Sequence, residues 1–280
     1  MKHIFNLVIA LLSFCTFAQV TTPQASPSAK TEQVVGLTTI ELNYSRPAAN
    51  GRTIFGDLVP FNKKWRTGAN ANTSIGFSDD VKIEGVAVKA GNYALYSTPT
   101  NESWVIYLYT KTDNWGLPEE WNEDLVAAKF EVKSTKTRAF TENFSLQIVD
   151  ISANQAKLEI AWENTKVQFN IEVPTEQKVM QSIKNTMQKE PSARDYYNAA
   201  VYFLNEDKDI KQAVSWIDTA MKMEDKKPYW MLRQQALIYY QAGMQKKAIK
   251  IAEASLEAAK KAGNNDYVKM NKDSIEKWKK

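Results

Sequence analysis

Between Val34 and Val173 apolar and polar residues alternate in short runs. The clearest are Thr39–Tyr44, Val81–Ile83, Tyr93–Tyr96, Trp104–Tyr109, Phe144–Ile148, Leu158–Trp162 and Val167–Val173. A period of two turns one face of each run inward, which is the signature of a half-buried strand. Polar and glycine-containing breaks separate the runs at Ser78-Asp79-Asp80, Glu84-Gly85, Ala90-Gly91-Asn92 and Ser152-Ala153-Asn154. Short strands at this spacing predict an antiparallel β-sandwich or barrel over residues 32–174. The rows Leu158, Ile160, Trp162 and Val167, Phe169, Ile171 predict a last hairpin turning at Glu163-Asn164-Thr165.

After Pro174 the period lengthens to that of a helix. Val179, Met180, Ile183 and Met187 form a first stripe. Ser192 and Asp195 have capping-box spacing ahead of Tyr197, Ala200, Val201 and Leu204. Ile210, Ala213, Val214, Ile217, Ala220 and Met221 predict the next helix. Leu232, Ala236, Tyr239 and Tyr240 predict another, stopped by Gly243. Ala248, Ala252, Ser255, Leu256 and Ala259 run to Gly263-Asn264, and a final helix from Asp266 carries Val268, Asn271, Ile275 and Trp278. Ala213, Ile217 and Ala220 recur as Ala248, Ala252 and Ser255, 35 residues on. Small residues at helix crossings with such a period resemble tetratricopeptide (TPR) repeats, although Lys208 stands where the second unit has Gly243. That resemblance implies two helical hairpins and a capping helix over 175–280, with a groove for a protein partner; a plain helical bundle is the alternative. The expected fold class is therefore α+β multidomain: a β-sandwich or barrel-like domain followed by an all-α TPR-like domain.

The N-terminus reads as an address. Met1, Lys2 and His3 precede the uncharged apolar run Ile4–Phe17, and Thr16-Phe17-Ala18 offers a cleavage site. This predicts a signal peptide over 1–18, cut near Ala18, and export to the periplasm or beyond. A lipoprotein anchor on Cys15 is the rival, though Phe14 is a poor residue before such a cysteine. Residues 19–31, small and polar with Pro23 and Pro27, read as a flexible leader. No later run approaches the ~20 apolar residues of a membrane helix.

Composition narrows the chemistry. The only histidine is His3 and the only cysteine Cys15, both inside the predicted signal peptide. The remainder has no Ser-His-Asp or Cys-His nucleophile, no His or Cys metal site and no disulfide, so no metal or cofactor is expected. Residues 19–175 hold 15 cations and 18 carboxylates, and residues 176–280 hold 20 and 14. That mild basic bias falls short of a nucleic-acid footprint.

Residues 44–70 break the pattern. Arg46, Arg52, Lys63, Lys64 and Arg66 stand against the single carboxylate Asp57, amid three glycines and two prolines. Long irregular stretches of this kind are often functional. Arginine forks suit bidentate capture of carboxylate, sulfate or phosphate, and Tyr44, Phe55, Phe61 and Trp65 supply aromatic faces nearby. The candidate ligand-binding residues are Arg46, Arg52, Trp65, Arg66, Thr67 and Asn70. The competing reading is structural: Arg46 tying backbone carbonyls, Arg66 paired with Asp57 or Asp113, and Trp65 and Phe55 plugging the sandwich.

The strings Tyr44-Ser45-Arg46-Pro47, Gly51-Arg52, Ile54-Phe55-Gly56, Leu58-Val59-Pro60, Trp65-Arg66-Thr67-Gly68-Ala69-Asn70 and Ala90-Gly91 with Tyr93 resemble a family of exported bacterial proteins known as domain of unknown function 2911. The resemblance covers about residues 25–173 and implies a β-rich domain, export of the kind common in Bacteroidetes, and no assigned activity. It adds Gly51, Gly68 and Gly91 to the arginines, Trp65, Thr67 and Asn70 as motif positions.

Three functions fit these residues. The first is a non-catalytic binding or scaffold protein, its β domain holding an anionic small molecule or a glycan and its helices a partner protein. The second is a carboxylate-dependent carbohydrate-active hydrolase. It would draw its acid pair from Asp57, Glu102, Asp113, Glu119 and Glu120, and its sugar platforms from Trp104, Trp115 and Trp121. The third is a calcium-stabilised domain using Asp79-Asp80 or the run Glu119, Glu120, Glu123, Asp124.

Overall fold

The computed structural model describes residues 22–280; the predicted signal peptide lies outside them. The chain divides into two compact units, the first ending at Thr175 and the second running Glu176–Lys280.

The first unit is an antiparallel sheet of nine strands: β1 Ser28–Val35, β2 Thr38–Ser45, β3 Ser74–Phe77, β4 Val81–Ile83, β5 Val86–Val88, β6 Gly91–Pro99, β7 Ser103–Tyr109, β8 Val126–Val149 and β9 Gln155–Glu172. Their order across the sheet is β1-β2-β3-β6-β7-β8-β9-β4-β5. The long strand β8 links its two arms, pairing with β7 through Lys133 and with β9 from Ser134 onward. Ile40, Leu42, Leu95 and Trp104 from one arm share a buried core with Phe144, Leu158, Trp162 and Phe169 from the other. The alternation read from the sequence is thus the inner lining of a sheet folded over on itself. After β2 the chain closes this fold along β8: Phe144 N–H donates to the Pro47 carbonyl and Ala49 N–H to that of Glu142, each at 2.8–2.9 Å.

Three expectations change. Strand β1 starts at Ser28, inside the stretch read as a leader, because Ser28–Val35 pairs along its length with β2 despite its polar composition. No hairpin forms at Glu163-Asn164-Thr165. Strand β9 runs straight through, with Glu163 at φ +55°. The inward positions shift from even numbers (Leu158, Ile160, Trp162) to odd ones (Thr165, Val167, Phe169) where the register with β8 slips, Lys136 facing Thr165 and Thr141 facing Glu163, with the extra residues on β8. The first half of β8 also escaped the sequence reading, although Ala128, Phe130 and Val132 alternate inward there.

The second unit holds α1 Thr175–Met187, whose first residue belongs to the first unit, then α2 Ala193–Asn205, α3 Ile210–Met223, α4 Tyr229–Gln241, α5 Gln245–Lys261 and α6 Asn265–Lys279. Helices α2 and α3 pack as one pair, α4 and α5 as the next, and α6 lies on α5. Ser192 and Asp195 form the capping box in full. Ala213, Ile217 and Ala220 are buried in the first pair, and Ala248, Ala252 and Ser255 at the corresponding positions of the second. Gly243 turns at φ +74°; the first pair makes its positive-φ turn at Asp207 (φ +50°), one residue before Lys208. The α1 stripe is not a core face: only Ile183 among its members packs on the helical core, and Met180 is exposed.

Candidate functional site

The segment after β2 leaves the sheet at Ser45 and returns to it at Ser74. Its route is set by backbone that most side chains avoid. Asn50, Asn62, Thr67 and Asn70 all have φ between +50° and +61°, and Gly51, Gly56 and Gly68 are also positive. Thr67 is the costly one, because a β-branched residue clashes with its own backbone in the left-handed region. Its burial over-determines the conformation. Thr67 is fully buried, its hydroxyl lies 2.9 Å from that of Ser97, and its carbonyl accepts from Thr73 Oγ1 at 2.6 Å. Gly68 follows where a β-carbon would stand 2.9 Å from Thr73 Oγ1.

This path walls a cleft of about 540 Å³. Trp65 and Trp162, stacked at 6.0 Å and 18°, contribute to its lining, and Arg52, Arg66, Asn70 and the exposed Leu58 also face it. Ala25 and Ser26 add a further edge, held by the Asn70 amide, which donates to the Ser26 carbonyl at 3.1 Å.

The remaining wall comes from far along the chain. Residues 110–125 fold over the outer face of β6 and β7, where Trp121 packs on Tyr96, Tyr107 and Tyr109. Lys64 Nζ lies 4.6 Å from the Trp121 ring centroid, a cation–π contact. Tyr96 donates its hydroxyl to the Gly116 carbonyl and accepts from Asn114 Nδ2, each at 3.1 Å. Burial holds that hydroxyl above the ordinary phenol range, opposed in part by the Asn114 hydrogen bond and by the charge of Arg66. So anchored, the loop lays Gly116 (φ +99°) on the Arg66 guanidinium, where a β-carbon would sit 3.1 Å from Cζ. It also presents Trp115 at the cleft, a residue 78% exposed.

The arginines differ in what they touch. Arg46 donates from Nε to the Phe144 carbonyl at 3.0 Å and does not line the cleft. Its role is the structural one, tying the loop to β8. Arg52 donates to the carbonyls of Ala49 and Ala48 at 3.0 and 2.7 Å, while its outer face stays exposed. Arg66 donates to the Asn70 carbonyl at 2.5 Å. Neither Asp57 nor Asp113 pairs with Arg66, and among the described residues none of these three arginines has a carboxylate partner. Each guanidinium carries five N–H donors, so Arg52 and Arg66 keep donors to spare. Among the described residues, no carboxylate and no lysine lines the cleft.

Four of the six residues singled out in the sequence thus meet in one place: Arg52, Trp65, Arg66 and Asn70. Arg46 and Thr67 shape the walls from outside. Sequence reasoning missed Trp162 and Ser26, and it placed Trp115 with the hydrolase reading. The carboxylates named for that reading, Asp57, Glu102, Asp113, Glu119 and Glu120, all lie outside the cleft.

The oxygens named for calcium serve local turns. Asp80 accepts from Lys89 Nζ and Ala90 N–H, and Asp79 accepts from the Thr38 and Ser78 hydroxyls. Among the described residues no three His, Cys, Asp or Glu side chains converge as a metal site would need.

The family described as Protein of unknown function (DUF2911) matches residues 26–171, just over half the chain. The chain belongs to this family. The match spans the nine-stranded sheet up to its last residue, Glu172, and every described residue lining the cleft except Ala25, so the cleft is a feature of the DUF2911 portion; the helical unit lies beyond it. No curated protein and no solved structure matches the chain. Among the described residues, no helix of this DUF2911 protein is long and apolar enough to cross a membrane.

Proposed function

We propose that this DUF2911 protein is an exported, non-catalytic binding protein whose β unit captures an anionic ligand between Arg52 and Arg66. One observation carries the reading: a cleft of about 540 Å³ presents two guanidinium groups and, among the described residues, no carboxylate in its lining. The volume falls within the ~300–1,000 Å³ usual for small-molecule sites. Guanidinium groups that line a cleft with donors to spare and no carboxylate partner favour an anion, and the planar fork favours one with two or three equivalent oxygens. Strained backbone at Thr67, beneath the same cleft, is the kind of cost that functional sites retain. The hydrolase alternative finds no acid pair here. The helical unit serves as a second docking surface, for a protein partner. Its paired helices with equivalent small buried residues 35 apart support the TPR-like reading.

A thermal-shift panel tests the anion site. Carboxylates, sulfated compounds and phosphates are added to the purified protein and to Arg66→Ala. A ligand of the folded state stabilises it by about 2.7 kcal/mol at a hundredfold excess over Kd. Stabilisation by an anion that vanishes in Arg66→Ala is the expected result. An unchanged melting temperature across the panel, or hits that survive the substitution, would remove the proposal.

A further inference from the structure

We infer that the anion held in this cleft is an acidic sugar residue, a hexuronate within a glycan, with its ring on Trp115 and its carboxylate on Arg52 and Arg66. The inference rests on the anion-binding reading above and adds the ligand class.

The first observation is the state of Trp115. A tryptophan left 78% exposed keeps a large apolar surface in water. The loop that carries it is tied down on both sides, by the Asn114 and Gly116 contacts to Tyr96 and by Asn122 N–H to the Tyr109 hydroxyl. The ring is therefore held out over the cleft by a braced loop. A flat, exposed aromatic face complements the C–H face of a pyranose, whose hydroxyls can stay in water at the open lip.

The second observation is the mixture of groups beside it. A fatty or purely aromatic acid calls for an enclosed apolar lining. Here Ser26, Asn50 and Asn70 alternate with the apolar surfaces, which suits a ligand bearing hydroxyls along its edge. The two planar forks take a carboxylate, a sulfate or a phosphate alike, so the exposed ring and the polar edge beside them are what favour a sugar acid.

The third observation is the absence of carboxylates from the lining among the described residues. Cleavage of a glycosidic bond by the usual route needs two of them across the sugar. A glycan in this cleft would be held and not cut.

Isothermal titration of the full chain tests this. The probes are oligogalacturonate, oligomannuronate, oligoguluronate and glucuronate-containing oligosaccharides, with methyl-esterified oligogalacturonate as the uncharged control and inorganic sulfate and benzoate as simple anions. At least one acidic oligosaccharide should bind, and its affinity should fall about tenfold in Trp115→Ala, which removes an exposed ring and spares the fold. It should fall by a similar factor or more in Arg66→Lys, which keeps the charge and loses the fork. The esterified control should bind at least tenfold more weakly than its acid, and sulfate binding should ignore Trp115→Ala. If sulfate or benzoate binds through Arg66 while no uronate does, or if Trp115→Ala leaves uronate affinity intact, the sugar assignment is overturned and the anion site stands. If no anion binds through Arg66, both fall.

Discussion

Arg46 and Arg66 sit 20 residues apart in one irregular segment, yet the structure gives them opposite duties, and substitution to alanine should separate them. Arg46 Nε donates to the Phe144 carbonyl at 3.0 Å, joining the loop after β2 to β8 across 98 positions of sequence. A hydrogen bond from a charged donor contributes roughly 1.5–3 kcal/mol, and the half-buried stem adds packing. Arg46→Ala should therefore cost about 2 kcal/mol. Arg66 makes one bond, to the Asn70 carbonyl four residues away on a half-exposed stretch. That bond joins residues only four apart and fastens no distant strand, so Arg66→Ala should cost less, about 1.5 kcal/mol at the low end of the same range. For a unit of this size each kcal/mol shifts Tm by roughly 2–4 °C, so the two variants should melt at distinguishable temperatures. The assay is thermal denaturation followed by near-ultraviolet circular dichroism and fitted with separate transitions for the β unit, with Trp65, Trp104 and Trp162 in or against its core, and for the helices, which carry Trp216, Trp230 and Trp278. Ligand affinity, measured well below either transition, should survive in Arg46→Ala and be lost in Arg66→Ala. A larger stability loss in Arg66→Ala than in Arg46→Ala would refute the division. So would a folded Arg46→Ala that no longer binds.

Two further predictions concern stability. Gly36 turns the chain from β1 to β2 at φ +57°, and a β-carbon there would stand 1.8 Å from Thr175 Oγ1 and 2.2 Å from the Ala153 carbonyl. The left-handed backbone costs an alanine about 1–2 kcal/mol and the overlap about 1–3 more, so Gly36→Ala should lose about 2–5 kcal/mol in urea denaturation. Adding Thr175→Ala should recover only part of that, since the carbonyl remains. In the helical unit, burial and the hydrogen bond to Asp218 push the Tyr239 hydroxyl up to about 12. The folded state then holds this proton more tightly than the unfolded chain, whose tyrosine titrates near 10. Its contribution is complete below pH ~10 and is lost as pH rises toward 12. Denaturant midpoints of the helical unit should fall across that range, and Tyr239→Phe should flatten the fall; an equal slope in both proteins would exclude Tyr239 as its source.

Much of the fold was legible in the chain because most strands bury only one face. Thr39–Tyr44 shows its alternation directly, Trp104–Tyr109 is apolar throughout because residues 110–125 cover its outer face, and the 35-residue recurrence of Ala213 and Ala248 marks the helical pairs. What stayed hidden depends on partners distant in sequence. Ser28–Thr31 have no strand-like composition and become a strand because β2 lies beside them. Glu163-Asn164-Thr165 has the composition of a turn but stays within β9, because it pairs beside the irregular stretch of β8 between Lys136 and Ser145. The candidate site divides in the same way. The cluster of arginines amid glycine and proline pointed to residues 44–70, but which arginine ties the loop to β8 and which faces the cleft follows from closure of the sheet. Trp115 reaches the cleft only because Tyr96 and Tyr109 hold its loop.

The claim on which the account turns is that Arg52 and Arg66 together receive an anion. The chain has six arginines, at positions 46, 52, 66, 138, 194 and 233, so their Nε–Hε signals can be assigned and followed by nuclear magnetic resonance during a titration with an acidic oligosaccharide or sulfate. The account predicts that the Arg52 and Arg66 signals move along one binding curve while Arg46, held on the Phe144 carbonyl, stays in place. Movement confined to Arg138, Arg194 or Arg233, or no movement at all, would contradict it.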